Sequence, residues 1–70
     1  MTMAAIGNHI RRLRFEQGEM TQGQLAEKIG VTRQTVNAIE QNKYSPSLET
    51  AFRIAEVFGV GIGEVFHYGA

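Results

Sequence analysis

The chain has 70 residues with seven basic and seven acidic side chains, so its formal net charge is zero at pH 7, and it contains no cysteine. That length fits one domain over residues 1–70, near the lower limit for a self-sufficient core, and the missing cysteine excludes a disulfide framework and a thiolate metal site. The apolar runs are too short to cross a bilayer and the N-terminal MTMAAIG lacks the basic flank of a signal peptide, so a cytoplasmic protein without a membrane partner is expected.

The first predicted helix covers about residues 7–17. Ile6, Ile10 and Leu13 fall on one face of this segment, and Gly18 follows as a C-terminal stop. We therefore expect the helix to pack one apolar face against the core and to end before a turn.

The second predicted helix begins after Thr21, whose side chain can cap it, and closes near Ile29. Its apolar face is formed by residues at helical intervals, Leu25, Ala26 and Ile29. Gly30 is suited to a left-handed C-terminal stop, and residues 30–32 leave only a three-residue turn before the next helix. Turns of this length join the two helices of a DNA-binding helix-turn-helix, and the small Ala26 would let the two backbones approach.

The third predicted helix, about residues 33–41, is capped by Thr32 and has an apolar and a polar face. Val36, Ala38 and Ile39 are assigned to the core. The side chains left facing solvent are Arg33, Gln34, Thr35, Asn37 and Gln41. Glutamine and asparagine can pair with adenine, arginine with guanine and a threonine methyl with thymine, each good bidentate pair giving about 1–3 kcal/mol of discrimination. A solvated polar face is the alternative, but the stop, the short turn and the cap favour a helix that reads a DNA groove.

The remaining segments predict a loop and two further helices. The loop covers residues 41–47, QNKYSPS, and Ser47 can cap a helix over about residues 48–58 that stops at Gly59. The apolar stripe of this fourth helix consists of Leu48, Ala51, Ile54, Ala55 and Phe58. A short fifth helix over about residues 62–66 is weakened by the glycines that precede and interrupt it.

From residue 8 to about residue 66 the chain resembles the bacterial and phage repressors of the Xre and Cro type. The resemblance is carried by TQ at 21–22, LA at 25–26, GVTRQT at 30–35, IE at 39–40, N-K-Y-x-P-S at 42–47 and the IAEVFGV segment. The chain looks most like the short stand-alone members, which work as homodimers. The resemblance implies an all-α fold, a compact five-helix lambda-repressor-like DNA-binding domain, in which a short strand over residues 67–70 pairs with residues 3–6.

Residue roles toward double-stranded DNA follow from these helices together with the resemblance. Base reading in the major groove is assigned to Arg33, Gln34, Thr35 and Asn37. Phosphate contacts are assigned to Thr21, Gln22, Thr32, Gln41, Asn42, Lys43 and Tyr44, of which Asn42 could equally be a solvated loop residue. We expect Gln22 to point its amide toward a phosphate, and Tyr44 to pack its ring under the loop with its hydroxyl free. Arg14 and Glu40 are expected to form a structural ion pair that holds the third helix.

The C-terminal segment carries more apolar surface than a monomer of this size needs to cover. Val60, Ile62 and Val65 are expected to close the core. Phe66 and Tyr68, with Ile62 at the edge, are assigned to a homodimer interface, since aromatic residues anchor interfaces and related small repressors join through this end. An isologous dimer would hold its two third helices about 34–36 Å apart, one DNA turn, and would select an inverted repeat.

Net charge is the feature that argues against DNA, since DNA-binding domains are usually more basic. The charges are unevenly distributed, however. Residues 1–45 hold six basic and four acidic side chains, a balance of +2, and residues 46–70 hold one basic and three acidic side chains, a balance of −2. The positive half carries the predicted helix-turn-helix, so phosphate attraction would be local and modest.

Neither a catalytic site nor a metal site is apparent in the sequence. His9 and His67 are far apart along the chain, and no cysteine or aspartate is available to complete a ligand set. No glycine-rich phosphate loop or small-molecule ligand domain is recognisable, so we expect no enzyme activity, cofactor or metal. The sequence thus predicts a transcriptional regulator, with repression as the expected effect and activation as the less common one. Two alternatives stay open, an antitoxin-like or controller protein whose main partner is another polypeptide, and a structural dimer that has lost DNA binding.

Overall fold

The computed structural model describes residues 6–69. Its elements in chain order are β1 (Ile6–Asn8), α1 (Ile10–Glu16), α2 (Gln22–Ile29), α3 (Arg33–Glu40), α4 (Leu48–Phe58), α5 (Ile62–Val65) and β2 (Phe66–Tyr68). The five helices confirm the predicted five-helix fold, and two strands pair near the chain ends, as expected. None of the helices described is long and apolar enough to span a membrane.

The core lies where the helices meet. Its buried members are Ile10, Leu13, Leu25, Ala26, Ile29, Val36, Ile39, Ile54, Ala55, Phe58 and Val65. The predicted apolar faces of the first three helices are all in this cluster, apart from Ile6 and the half-buried Ala38. The shared core therefore fixes α3 through one side and leaves its other side in solvent.

Local side-chain caps set where three of the helices begin. Thr21 accepts a hydrogen bond from Gln24 N at 3.0 Å, while the Gln24 amide oxygen accepts from Thr21 N at 2.8 Å. This is a complete capping box, of which only the Thr21 cap was predicted above, although Thr21 and Gln24 have the spacing that such a box requires. Thr32 and Ser47 each accept from the backbone N–H three residues later, at 3.1 Å, as predicted. Each cap contributes about 1 kcal/mol and defines the first turn of its helix.

The turn between α2 and α3 is as short as predicted. Gly30 adopts the left-handed conformation, with φ 78° and ψ 32°, and α3 begins at Arg33. The N–H groups of Gly30 and Val31 both donate to the carbonyl of Ala26, at 2.9 and 3.0 Å, which closes the end of α2. A side chain at position 30 would be strained at this φ, which is why glycine suits the stop.

β1 replaces the first turn of the predicted first helix, which begins only at Ile10. β1 pairs antiparallel with β2, placing Ile6 opposite Tyr68 and Asn8 opposite Phe66. The side-chain oxygen of Asn8 accepts the N–H of Ile10 at 3.1 Å, so Asn8 ends the strand and starts the helix. Ile6 therefore lies off the helix face on which it was predicted and is 41 % exposed.

The predicted pairing of the chain ends was correct in kind and shifted in position. The expected partners were residues 67–70 and 3–6, whereas the observed strands are Phe66–Tyr68 and Ile6–Asn8. Positions 3–5 and 70 of that prediction lie outside the described residues. The strands are set by hydrogen bonding between segments distant in the chain, which local patterns do not encode.

Two assignments in the C-terminal half were wrong. Leu48 is 71 % exposed, because helical spacing predicts which face a residue lies on but not how far the core extends along the helix. The fifth helix ends at Val65, and Phe66 adopts extended backbone with φ −121° and ψ 147°. Gly61 occupies the N-cap and has no side chain to accept a hydrogen bond from the first turn, so α5, which is four residues long, lacks the capping that the starts of α2, α3 and α4 have.

Candidate nucleic-acid interface

The solvent side of α3 is polar along its length. Val36 and Ile39 anchor the opposite side and are 1 % and 2 % exposed. The exposed side chains are Arg33, Gln34 and Asn37, followed by Gln41 at the C-cap, and Thr35 is half-buried. These positions agree with the face predicted from the sequence, while their roles toward bases remain predictions.

Arg33 and Gln34 are the least constrained of these residues. They occupy the first turn of α3, and their side chains make no hydrogen bond or ion pair with any residue in the range 6–69. Thr35 differs, because its hydroxyl lies 3.0 Å from the Thr32 hydroxyl and one of the two must donate to the other. The first turn of α3 therefore offers one guanidinium and one carboxamide whose hydrogen-bonding groups are all available.

Asn37 is held in an amide network that the sequence did not reveal. Its Oδ1 accepts from Gln22 Nε2 at 3.1 Å and from Gln41 Nε2 at 3.3 Å. Gln22 Nε2 also donates to Glu40 Oε1 at 3.1 Å. The Gln22 amide thus points at α3 and not outward as expected, because two oxygen acceptors lie within reach across the helix pair. Only the amide N–H groups of Asn37 remain for a base, and a phosphate role for Gln22 stays a prediction.

Arg14 and Glu40, which the resemblance implies to be a pair, meet in a two-pronged ion pair. Arg14 Nε and Nη2 donate to the two Glu40 carboxylate oxygens at 2.6 and 3.0 Å. The two side chains are only 14 % and 8 % exposed. Arg14 Nη1 also donates to the carbonyl of Met20 at 2.7 Å, so the guanidinium links α1, the turn before α2 and the last turn of α3.

The loop after α3 presents further polar side chains beside the exposed face. Asn42, Lys43 and Tyr44 are all exposed, and Asn42 has a left-handed φ of 61°. Tyr44 is 55 % exposed, so its ring does not pack under the loop as predicted. Tyr44 lines a small cavity beside the loop together with the half-buried Pro46 and Phe66. Phosphate contacts by these residues remain predictions.

Thr21 and Thr32 flank the same surface at the starts of α2 and α3. Both residues are exposed, and both hydroxyl oxygens already accept a backbone N–H as helix caps. A capping hydroxyl still has its own proton, so Thr21 can cap α2 and donate to an anion at the same time. Thr32 can do so only when the shared hydrogen bond with Thr35 is donated by Thr35.

Ion pairing explains how a chain of zero net charge keeps a positive surface here. Arg53 pairs with Glu49 at 2.7 Å on α4, and Glu40 is neutralised by Arg14. Arg33 and Lys43 form no ion pair with another described residue, and both are exposed. The unpaired charges of α3 and of the loop residues 41–44 are therefore both positive, although the sum over the chain is zero.

Asn8 is the residue at this interface that the sequence did not indicate. Its amide nitrogen donates to the carbonyl of Ile39 at 2.9 Å, near the end of α3. An asparagine just before a helical pattern suggests a local cap, which Asn8 indeed provides for Ile10. The bond to a residue 31 positions later has no sequence signal, because only the folded chain brings the two together.

The two histidines are neighbours in the fold, contrary to the expectation from their separation in sequence. The ring centroids of His9 and His67 lie 5.1 Å apart with an interplanar angle of 35°. The pairing of β1 with β2 brings them together. Within residues 6–69, no third histidine or acidic residue joins them in a group that could hold a metal ion.

The predicted dimer residues differ in accessibility. Tyr68 is 77 % exposed, whereas Ile62 and Phe66 are half-buried and pack against the core. Val60 also packs against the core and Val65 lies within it, as expected. The dimer itself remains a prediction, for which Tyr68 offers the most accessible surface.

A helix-turn-helix family model matches residues 10–65, which is well over half of the chain. The chain belongs to the helix-turn-helix family. Residues 10–65 include α2, the short turn and α3, so the matched region contains the whole geometry described above. The helix-turn-helix chain is a transcriptional regulator with a DNA-binding domain of the Xre and Cro type, and that class is not enzymatic, as the sequence predicts.

Similarity to individual proteins supports the assignment of this chain to the helix-turn-helix family. An uncharacterised HTH-type transcriptional regulator of Methanocaldococcus jannaschii is 57 % identical over 49 residues, which cover 70 % of this chain and 74 % of that protein. The immunity repressor of Bacillus phage phi105 is 35 % identical over 60 residues, covering 86 % of this chain and 41 % of the repressor. The crystal structure of a candidate DNA-binding protein from Bacteroides fragilis superposes with a TM-score of 0.78 at 27 % identity, covering 89 % of this chain and 98 % of that one.

Proposed function

We propose that this regulator represses transcription by binding an inverted-repeat operator as a homodimer, with α3 in the major groove. The observation that carries the proposal is the exposed, unengaged pair Arg33 and Gln34 in the first turn of α3. The first turn of a recognition helix is the part that reaches the base edges, and these two side chains are those that pair bidentately with guanine and adenine. Core packing and the Arg14–Glu40 ion pair hold the helix in one orientation.

Phosphate contacts on either side of α3 would set the register of the protein on the duplex. The exposed cation of Lys43 supplies charge on one side, and the exposed hydroxyl of Thr21 supplies a donor on the other. Thr32, Gln41, Asn42 and Tyr44 are further exposed donors along the same surface, and Gln22 would join them by rotating its amide away from α3. Such contacts strengthen binding to every sequence and carry no sequence preference.

Repression is the sign of regulation that we favour. The phage phi105 relative is an immunity repressor, and that similarity covers most of this chain. Dimerisation through Tyr68, with Phe66 and Ile62 beneath it, would pair two copies of α3 and match a symmetric operator. We place the protein in the cytoplasm, where the DNA lies, and treat residues 1–70 as one domain.

The first experiment is a titration of the pure protein against the DNA upstream of its own gene and against a scrambled duplex of equal length. We expect tight binding of one dimer to each inverted repeat in the upstream DNA, with the scrambled duplex weaker by at least about a thousandfold. Repeating the titration at about 50 and 200 mM salt separates the phosphate contribution, which falls with salt on both duplexes. Equal, weak binding to both duplexes would exclude a sequence-specific regulator.

A polypeptide partner is the second candidate, and one observation favours it. Leu48 and Phe52 lie one turn apart on α4 and are 71 % and 53 % exposed. Neither side chain is among those proposed to bind DNA, and apolar surface of this kind commonly mediates contact with another protein. If the titration shows no operator, co-purification of a toxin-like or restriction-associated polypeptide with the wild type, lost in Phe52→Lys, would support this function.

A further inference from the structure

Asn8 lies at the junction of three structural elements. In the sheet it is paired with Phe66 of β2. Its Oδ1 accepts from Ile10 N at 3.1 Å and so caps α1. Its Nδ2 donates to the carbonyls of Ile39 and Glu40 at the end of α3, at 2.9 and 3.5 Å. One carboxamide therefore joins the terminal sheet, the start of α1 and the end of α3.

The contact with α3 acts on groups that the helix itself cannot satisfy. The last four carbonyls of any α-helix lack an intrahelical donor, and Ile39 and Glu40 are the final two residues of α3. Asn8 Nδ2 also donates to Asn42 Oδ1 at 3.0 Å, so it ties down the first loop residue that follows the C-cap as well. A side chain of the N-terminal strand thus restrains both the end of α3 and the start of the loop that follows it.

Two independent attachments hold the end of α3 to the N-terminal segment. Arg14 binds the side chain of Glu40, and Asn8 binds the main chain at Ile39 and Glu40. The ion pair acts on α3 through the side chain of Glu40, whereas the Asn8 amide binds the main chain of the helix directly. Asn8 therefore adds a main-chain attachment to the core packing and the ion pair that already hold α3.

We infer that Asn8 is a positioning residue for sequence recognition, which fixes the tilt of α3 and couples it to the terminal sheet. This inference rests on the proposed function, since it assumes that α3 reads the operator. A tilted helix would keep its phosphate contacts, which tolerate small shifts, and would lose bidentate base contacts, which require aligned donors and acceptors. Asn8 lies in the sheet that contains the proposed dimer residues Phe66 and Tyr68. Its bond to Ile39 therefore links the proposed dimer interface to α3.

The variant Asn8→Asp separates the two functions of the side chain. Aspartate keeps the oxygen that caps α1 but, when ionised, has no N–H to donate to Ile39. We expect Asn8→Asp to remain folded and to lose at least about fivefold in operator affinity, because the contacts that Asn8 Nδ2 makes with Ile39, Glu40 and Asn42 are lost. The scrambled-duplex affinity should fall less than about twofold. Asn8→Ala removes both the acceptor for the Ile10 N–H and the donor to the Ile39 carbonyl. It should lower both the preference for the operator and the midpoint of urea unfolding.

Gln17 provides matched controls, because its amide donates to the carbonyl of Phe58 at the end of α4, at 3.5 Å, and does not touch α3. Gln17→Glu adds the same charge as Asn8→Asp, and Gln17→Ala removes the same kind of hydrogen bond from another helix. Both controls should keep the wild-type ratio of operator to scrambled affinity. A purely structural or electrostatic effect of Asn8→Asp would lower both affinities in proportion, and that result would overturn the inference.

Amide hydrogen exchange tests, without DNA, whether Asn8 restrains the end of α3. The N–H groups of Gln41, Asn42 and Lys43 bond to carbonyls in the last turns of α3. We expect exchange at these three amides to be about tenfold faster in Asn8→Asp and unchanged in Gln17→Glu. If the wild type shows no operator preference, the proposed function fails, and unchanged exchange in Asn8→Asp would overturn the positioning role separately.

Discussion

At the residue scale, the polar side chains of α3 differ in what they already bind. Arg33 and Gln34 are unengaged by other residues of the described chain, whereas Asn37 Oδ1 accepts from two glutamines. A side chain with free donors and acceptors binds a base without first losing a hydrogen bond within the protein. The energetic advantage in reading bases therefore belongs to the first turn of α3.

Gln34→Ala should lower operator affinity by about 1–3 kcal/mol and leave scrambled-duplex affinity unchanged, because one bidentate base contact is lost. Fluorescence anisotropy titrations on both duplexes would measure the two values. Lys43→Ala serves as the contrast, since losing a phosphate contact should weaken both duplexes alike and reduce the salt slope by about one. A Gln34→Ala protein that binds all sequences as the wild type does would remove Gln34 from the reading set.

At the element scale, the ion pair at the end of α3 can be compared with one on α4. Arg14 and Glu40 are 14 % and 8 % exposed, whereas Arg53 and Glu49 form an equally short pair with 52 % and 76 % exposure. Removing one partner of a buried pair leaves the other charge buried and uncompensated, whereas water solvates the charge that remains from an exposed pair. The same chemistry thus stabilises the junction of α1 and α3 strongly and the exposed surface of α4 only weakly.

Glu40→Ala should reduce the free energy of unfolding by about 3 kcal/mol, while Glu49→Ala should reduce it by less than about 1 kcal/mol. Urea unfolding followed by circular dichroism gives both values. Equal losses in the two variants would show that Glu40 is more solvated in solution than its 8 % exposure indicates.

The contact between the two strands yields a second test at this scale. A Cβ at Gly7 would overlap the His67 ring, so Gly7→Ala must displace that ring. His67 is exposed and can move, and we expect a loss of only about 1 kcal/mol. In a His67→Ala background the same substitution should be neutral, so a double-mutant cycle of unfolding free energies measures the contact. Additive losses would mean that the ring does not rest on Gly7.

At the scale of the whole molecule, the proposed homodimer can be tested through its exposed aromatic residues. Tyr68 on β2 is 77 % exposed and Phe15 on α1 is 68 % exposed. If the proposed dimer forms through β2, Tyr68→Lys should weaken it at least about tenfold, because an aromatic anchor is replaced by a charge. Phe15→Lys is the matched control and should leave the dimer intact. Sedimentation velocity over a concentration series would measure the association of both variants. A dimer that is lost in Phe15→Lys and kept in Tyr68→Lys would place the dimer interface on α1.

The sequence by itself determined α2, the short turn and the start of α3. Thr21, Gly30 and Thr32 act on backbone groups within a few residues of themselves, so their effect can be read from local order alone. The same holds for the core faces of the first three helices, since helical periodicity repeats within each segment. The family resemblance likewise depended on short contiguous motifs, which lie between residues 21 and 60.

Only the tertiary structure decided the features that join distant parts of the chain. β1 forms because a partner strand lies 60 residues further on, and that pairing also brings His9 beside His67. Gln22 turned inward because Asn37 and Glu40 offered acceptors across the helix pair. Asn8 contacts α3 because the fold brings the carbonyl of Ile39 within reach of its amide. Each of these contacts depends on the spatial proximity of folded elements, which the spacing of residues within one element does not specify.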